Sequence, residues 1–163
     1  MNVLHTKTLL YAYPHLLEIV GQIDKLVEKK ALSSLSNCLP AMTQYDEIIT
    51  MTFEKDVLFV LKKECDKILG KFTEEELKYF EYKYFRRKPK SYFLGFETQT
   101  RAYFRKQVSL ANKFSKRLEK AGIDDKFFTE KCLSIEFFRL LLKRTEEREK
   151  IACKNKARAE KVL

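Results

Sequence analysis

Only four glycines and three prolines interrupt the 163 residues of this chain, and that scarcity limits its fold more than any other feature. Reversals and strand turns draw heavily on those two residues, so a chain this poor in them has few places to punctuate. Lysine, glutamate and leucine, which favour helix, are abundant in the same sequence. The expectation is an all-α protein of long helices, about one domain in length. With 45% hydrophobic residues the chain can bury a core, and wholesale disorder is not expected.

Cys38, Cys65, Cys132 and Cys153 lie far apart, with no C-x-x-C pair and no paired histidines. Zinc and redox motifs need closely spaced ligands, so the pattern predicts reduced cysteines of a cytosolic protein, some packed as small apolar groups. The opening "MNVLHTKTLLYAYPHLLEIV" has no basic stretch followed by a continuous apolar run, so no signal peptide is expected. Nowhere do eighteen apolar residues stand together, so no membrane partner is expected. His5 and His15 lack a matching nucleophile nearby, and no glycine-rich phosphate loop occurs. An enzyme is therefore not expected, nor any metal or cofactor.

The net charge of +10 is not spread evenly. Residues 83–120 hold twelve bases against Glu97 and Glu119, a surplus equal to that of the whole chain. Elsewhere bases and acids cancel. A concentrated surplus makes a local field that attracts polyanions, whereas a diffuse one serves solubility.

Pro14 suits a first helical turn, after which Leu17, Val20, Ile23 and Val27 repeat at helical spacing to about Ala31. "SSLSNCLP" reads as a loop. Thr43 and Asp46 then offer a start for a second helix, with Ile49, Phe53, Val57, Leu61, Cys65 and Ile68 as its apolar stripe up to Gly70. This pair, residues 1–70, is expected to pack antiparallel or against another copy, so a homodimer through the N-terminal helices stays open. Thr73 followed by Glu74, Glu75 and Glu76 is a capping box for a helix to about Arg87, with Leu77, Phe80 and Tyr84 on one face. Pro89 stops it, and "KSYFL" adds one short turn before Gly95.

With Thr98 as cap, the next helix sorts its residues by about 100° per step. Tyr103, Phe104, Val108, Leu110, Ala111, Phe114 and Leu118 fall in one half. Arg101, Arg105, Lys106, Lys113, Lys116, Arg117 and Lys120 fall in the other. Asp124 and Asp125 open a turn carrying Phe127 and Phe128, and Ser134 caps a last helix with Ile135, Phe138, Leu141 and Leu142 inward. Beyond Lys143 the chain is polar nearly all round. Residues 71–163 thus read as a helix-turn-helix region with a C-terminal helix, the second helix of the motif reading the major groove.

Around the glycine, "LGFETQTRAYFRKQVSLANKF" resembles the reading helix of region 4 of sigma-70 factors. Gly95 takes the turn position, Thr98 the cap, Tyr103 and Phe104 the buried positions and Arg105 the exposed basic one. "FTEEELKYFEYKYF" is similar to that region's entry helix, and the N-terminal "LLYAYPHLLEIVGQIDKLVEKKALSSL" to the helical leader of ArpU/RinA-type phage regulators. One departure is plain: where the family has a scaffold helix of about three turns, this chain has only "KPKSYFLG".

The resemblance implies a cytoplasmic bacterial or phage regulator that binds specific duplex DNA, with RNA polymerase as a further partner. Thr98, Gln99, Arg101 and Arg105 would reach base edges, and Arg86, Arg87, Lys88, Lys90, Lys106 and Lys113 would hold phosphates. Two other classes compete. Ten aromatic residues between Tyr79 and Phe104, set among the bases, suit an RNA- or single-strand-binding protein if they are exposed. A basic ridge could instead dock on an acidic protein.

Overall fold

Helix α1 (Val3–Ala12) starts where the Asn2 side chain accepts the Leu4 N–H at 2.9 Å. The computed structural model, which describes residues 1–34 and 41–161, is all-α, as composition predicts. The helix predicted to begin after Pro14 in fact begins at Val3 and passes through a 3-10 turn, Tyr13–His15, into α2 (Leu16–Ser34). Helix α1 had no sequence signal because it is enclosed on several sides. Thr6, Thr8, Leu9, Leu10 and Ala12 are all buried, so no single apolar stripe marks it. The two buried hydroxyls donate to the carbonyls of Asn2 and Leu4, at 3.0 and 2.8 Å, and so remain satisfied indoors.

Helix α3 (Ala41–Leu69) runs antiparallel to α2. The cross-links show the direction: Lys30 pairs with Glu47, Lys55 with Asp24 at 2.6 Å, and Tyr13 Oη donates to Asp66 at 2.7 Å. The start predicted at Thr43 is corrected, because α3 is already helical at Ala41 and Thr43 lies inside its first turn. The loop predicted over 33–40, with Cys38, lies outside the described residues except for its first two positions, which belong to α2. The predicted stripe of α3 also divides. Leu61, Cys65 and Ile68 are buried, whereas Ile49 and Phe53 face solvent on another side of the helix.

Thr73 forms the predicted capping box of α4 (Glu74–Phe80). Its hydroxyl accepts the Glu76 N–H at 3.2 Å, and the Glu76 carboxylate accepts the Thr73 N–H at 3.1 Å. Glu76 is held below the usual glutamate range by that backbone bond and then by Lys113. A depressed carboxyl contributes stability above its unfolded value and loses it as pH falls through the folded one. Thr73→Ala should cost about 1 kcal/mol at neutral pH in urea unfolding. The stability gap between wild type and Glu76→Gln should close as pH drops below the ordinary glutamate value.

Helix α4 widens into a π-helical turn, Glu81–Phe85, which turns both Tyr84 and Phe85 inward. It ends at Phe85, two residues short of the predicted Arg87, and is closed by Arg86, whose φ of 52° is left-handed. Pro89 then precedes the expected short turn, Lys90–Phe93. Next come α5 (Arg101–Lys120), the short α6 (Asp125–Phe127) capped by Asp124, a π-helical turn (Phe128–Cys132) and α7 (Glu136–Lys161). Ser134 does not cap α7. Its hydroxyl donates back to the Lys131 carbonyl at 2.6 Å, closing the turn behind it.

One core draws on α1, α2, α3, α4, α5 and α7 together. Phe80 sits at its middle, with ring centroids 5.1 Å from Phe72 and 6.0 Å from Phe114. The boundary predicted at residue 70 falls in the turn after α3, and α1 spans it by packing on both α5 and α7. The polar C-terminal stretch is a helix resting on α1. Thr145 is buried, Lys7 bonds Glu149 at 2.6 Å, and Arg148 lies 5.1 Å over the Tyr11 ring.

Candidate nucleic-acid interface

The predicted cap of α5 moves by two residues. Thr100, not Thr98, accepts the Tyr103 N–H, at 3.2 Å, while Thr98 stays in the approach loop near the Tyr82 hydroxyl. Capping at Thr100 sends Tyr103 and Gln107 toward α4. There Gln107 Nε2 donates to the Tyr79 carbonyl at 2.7 Å and to Tyr103 Oη at 3.0 Å. That pair of bonds satisfies a buried amide, so a polar residue takes an inside position on the helix. Leu110, Ala111, Phe114 and Leu118 line the same side as expected. Phe104 and Val108 do not: they are 57% and 61% exposed, displaced from the core face by Gln107 and Ser115.

Helix α4 flanks α5 on one side. Tyr79 stacks on Tyr103 at 5.4 Å, and Glu76 takes Lys113 at 3.0 Å. Between the two helices the chain makes only the four-residue 3-10 turn and a tight reversal at Leu94–Gly95. Leu94 (φ −59°, ψ 128°) and Gly95 (φ 76°) hold the angles of a type II turn, closed by Phe96 N–H on the Phe93 carbonyl at 3.0 Å. Positive φ is why glycine stands there. Leu94 at the apex is 85% exposed, while Phe93, Phe96, Tyr82 and Tyr103 pack on one another beneath it.

The bases of this region have separate fates. Arg87 is fixed internally: its Nε donates to the buried carboxylate of Glu81 at 3.1 Å, and its guanidinium lies 5.0 Å over Phe85. Lys113 is paired to Glu76, and Arg117 sits 4.5 Å over Phe72. Lys83 is half-buried and turned inward, its pKa lowered by burial and then by Lys7. Arg86 borders a different groove, between the end of α4 and α7, with Arg144 and Arg148. Lys88 lies 5.6 Å over Tyr92 near the base of the loop, and Lys90 is exposed.

On α5 itself Arg101, Arg105, Lys106, Lys116 and Lys120 are exposed, and among the described residues no carboxylate comes within 4.0 Å of their nitrogens. Arg105, Val108, Ser109, Asn112, Lys113 and Lys116 line a shallow trough on the outer surface. Ser109 and Asn112 were missed from the sequence, although their places four and seven residues beyond Arg105 put them on its face. Thr98, Gln99, Arg101 and Arg105 cluster at the N-terminal end of the helix and its approach, where the exposed side of α5 begins.

Among the described residues no group of three or more His, Cys, Asp or Glu is placed to hold a metal ion, and no helix is long and apolar enough to cross a membrane. Burial pushes the Cys65 and Cys132 thiols up to about 12, which keeps them protonated. Comparison with family models, with curated proteins and with solved structures finds no match to this chain.

Proposed function

We propose that this protein is a sequence-specific DNA-binding regulator of the sigma-region-4-like type, cytoplasmic and bacterial or phage-borne, with α5 as its reading helix. One observation carries the reading. The inner side of α5 is anchored by Tyr103, Gln107, Leu110, Phe114 and Leu118, while five unpaired bases stand on its outer side. Such a rod presents a cationic face without having to break internal ion pairs. Arg101 and Arg105 suit guanine edges and Gln99 an adenine edge, with Thr98 beside them. Lys88, Lys90, Lys106, Lys116 and Lys120 suit phosphates, which set register. The approach to DNA is made without a scaffold helix, the Leu94–Gly95 turn taking its place beside the N-terminus of α5. RNA polymerase is the protein partner that the same resemblance suggests.

Duplex binding should depend steeply on salt. With about six phosphates neutralised, log affinity should fall against log salt with a slope near −5, measured by fluorescence anisotropy. A flat dependence would remove the electrostatic basis of the proposal. Phe104 and Tyr82, both exposed, favour a second reading, in which the rings stack on unpaired bases. Competition of labelled duplex DNA against single-stranded RNA separates the two, and the duplex should win.

A further inference from the structure

The arm formed by α2 and α3 has an apolar surface that no other described residue covers. Along residues 24–33 and 42–57 only Gln44 is buried, so this part of the hairpin projects from the body. A two-helix arm has one internal seam, between α2 and α3. On α3 a second apolar line runs outside that seam: Met42, Tyr45, Ile49, Phe53 and Val60. Their spacing of three, four, four and seven residues keeps them on one side of the helix. Phe53, in the middle, is 67% exposed.

The two ends of this line differ in shape. Toward the tip, Met42, Tyr45 and Ile49 stand as a ridge. Toward the body, Phe53, Val57 and Val60, with Glu54 and Asp56 beside them, form one wall of a groove of about 420 Å³, with Phe127, Glu130 and Lys131 across it. The line runs from Met42 to Val60, and its middle lies close to Phe53. A two-fold axis beside Phe53 therefore lays each copy's ridge into the other's groove, which is the self-complementarity an isologous contact requires.

We infer that the occupant of this groove is a second copy of the chain, the two arms packing antiparallel into a four-helix bundle. The area agrees. Two largely exposed aromatics and three aliphatic side chains per copy would bury roughly 1,000 Å² in the pair, the lower bound for a specific interface. Four helices also bury what two cannot. This inference stands apart from the nucleic-acid reading and does not need it.

Sedimentation velocity on the full chain should give about twice the 19.4 kDa protomer mass at tens of micromolar. Phe53→Glu should weaken association at least 100-fold and leave the helical circular dichroism unchanged, since the side chain is mostly in water. A protein that stays at 19.4 kDa up to about 100 μM overturns the inference, as does a dimer indifferent to Phe53→Glu. If Phe53→Glu fails to fold, Phe53→Cys in a Cys38→Ser, Cys153→Ser background takes its place. Position 53 should cross-link to itself on mild oxidation while Glu28→Cys, on the other helix, should not. The reverse pattern overturns the proposed axis.

Discussion

Replacing Arg101 and Arg105 together by glutamate should lower affinity for duplex DNA by about 100-fold or more and reduce the salt slope by about two. Each arginine that binds a guanine edge or a phosphate contributes about 1–3 kcal/mol to recognition, and reversal adds repulsion from the DNA backbone. The folded state should be untouched. Both side chains are exposed, and neither has an ion-pair partner among the described residues. Arg101 is the first residue of α5, where a carboxylate interacts favourably with the helix dipole, so the variant should melt no earlier than wild type. Lost binding with retained stability is thus the expected pair of results. Unchanged anisotropy titrations would remove α5 from the interface and leave the charge concentration without a function.

Phe114→Ala should cost about 3–5 kcal/mol, measured by guanidinium unfolding. The ring is 0% exposed and lies between α5 and the Phe80 cluster of α4, so its loss leaves a cavity at the point where α5 is anchored. Phe104→Ala provides the contrast. A helical wheel puts both rings in the same half, yet Phe104 is 57% exposed and its truncation should cost under about 1 kcal/mol. Equal costs at the two positions would mean that α5 is rotated about its axis from the orientation described. The cationic face would then be turned as well, so this pair of variants also tests the site.

How much of this was legible beforehand varies with the kind of interaction. Local chemistry read well. The Thr73 capping box, the short turn after Pro89, the reversal at Gly95 and the turn opened by Asp124 depend on a few consecutive residues whose dihedral and hydrogen-bonding needs are the same in any fold. Where two local solutions competed, local chemistry could not choose. Thr98 and Thr100 are both competent caps, and the choice went to the one that sends Tyr103 and Gln107 to α4. The candidate interface was partly legible for the same reason. Charge is a property of each residue, so its concentration in residues 83–120 was visible. Which charges remain available was not: Arg87 is withdrawn by Glu81, Lys113 by Glu76 and Lys83 by burial, each through packing.

By itself the sequence determined that this chain is helical, where α3 stops and where α4 and α6 start, and where its positive charge is concentrated, because propensity, capping and charge act over one or two turns. Only the tertiary structure decided that α1 lies enclosed in the core, that Gln107 goes inside while Phe104 stays out, and that α3 carries a second, uncovered apolar side. Burial is set by what arrives from distant parts of the chain, and a residue's own chemistry does not specify which neighbours those will be.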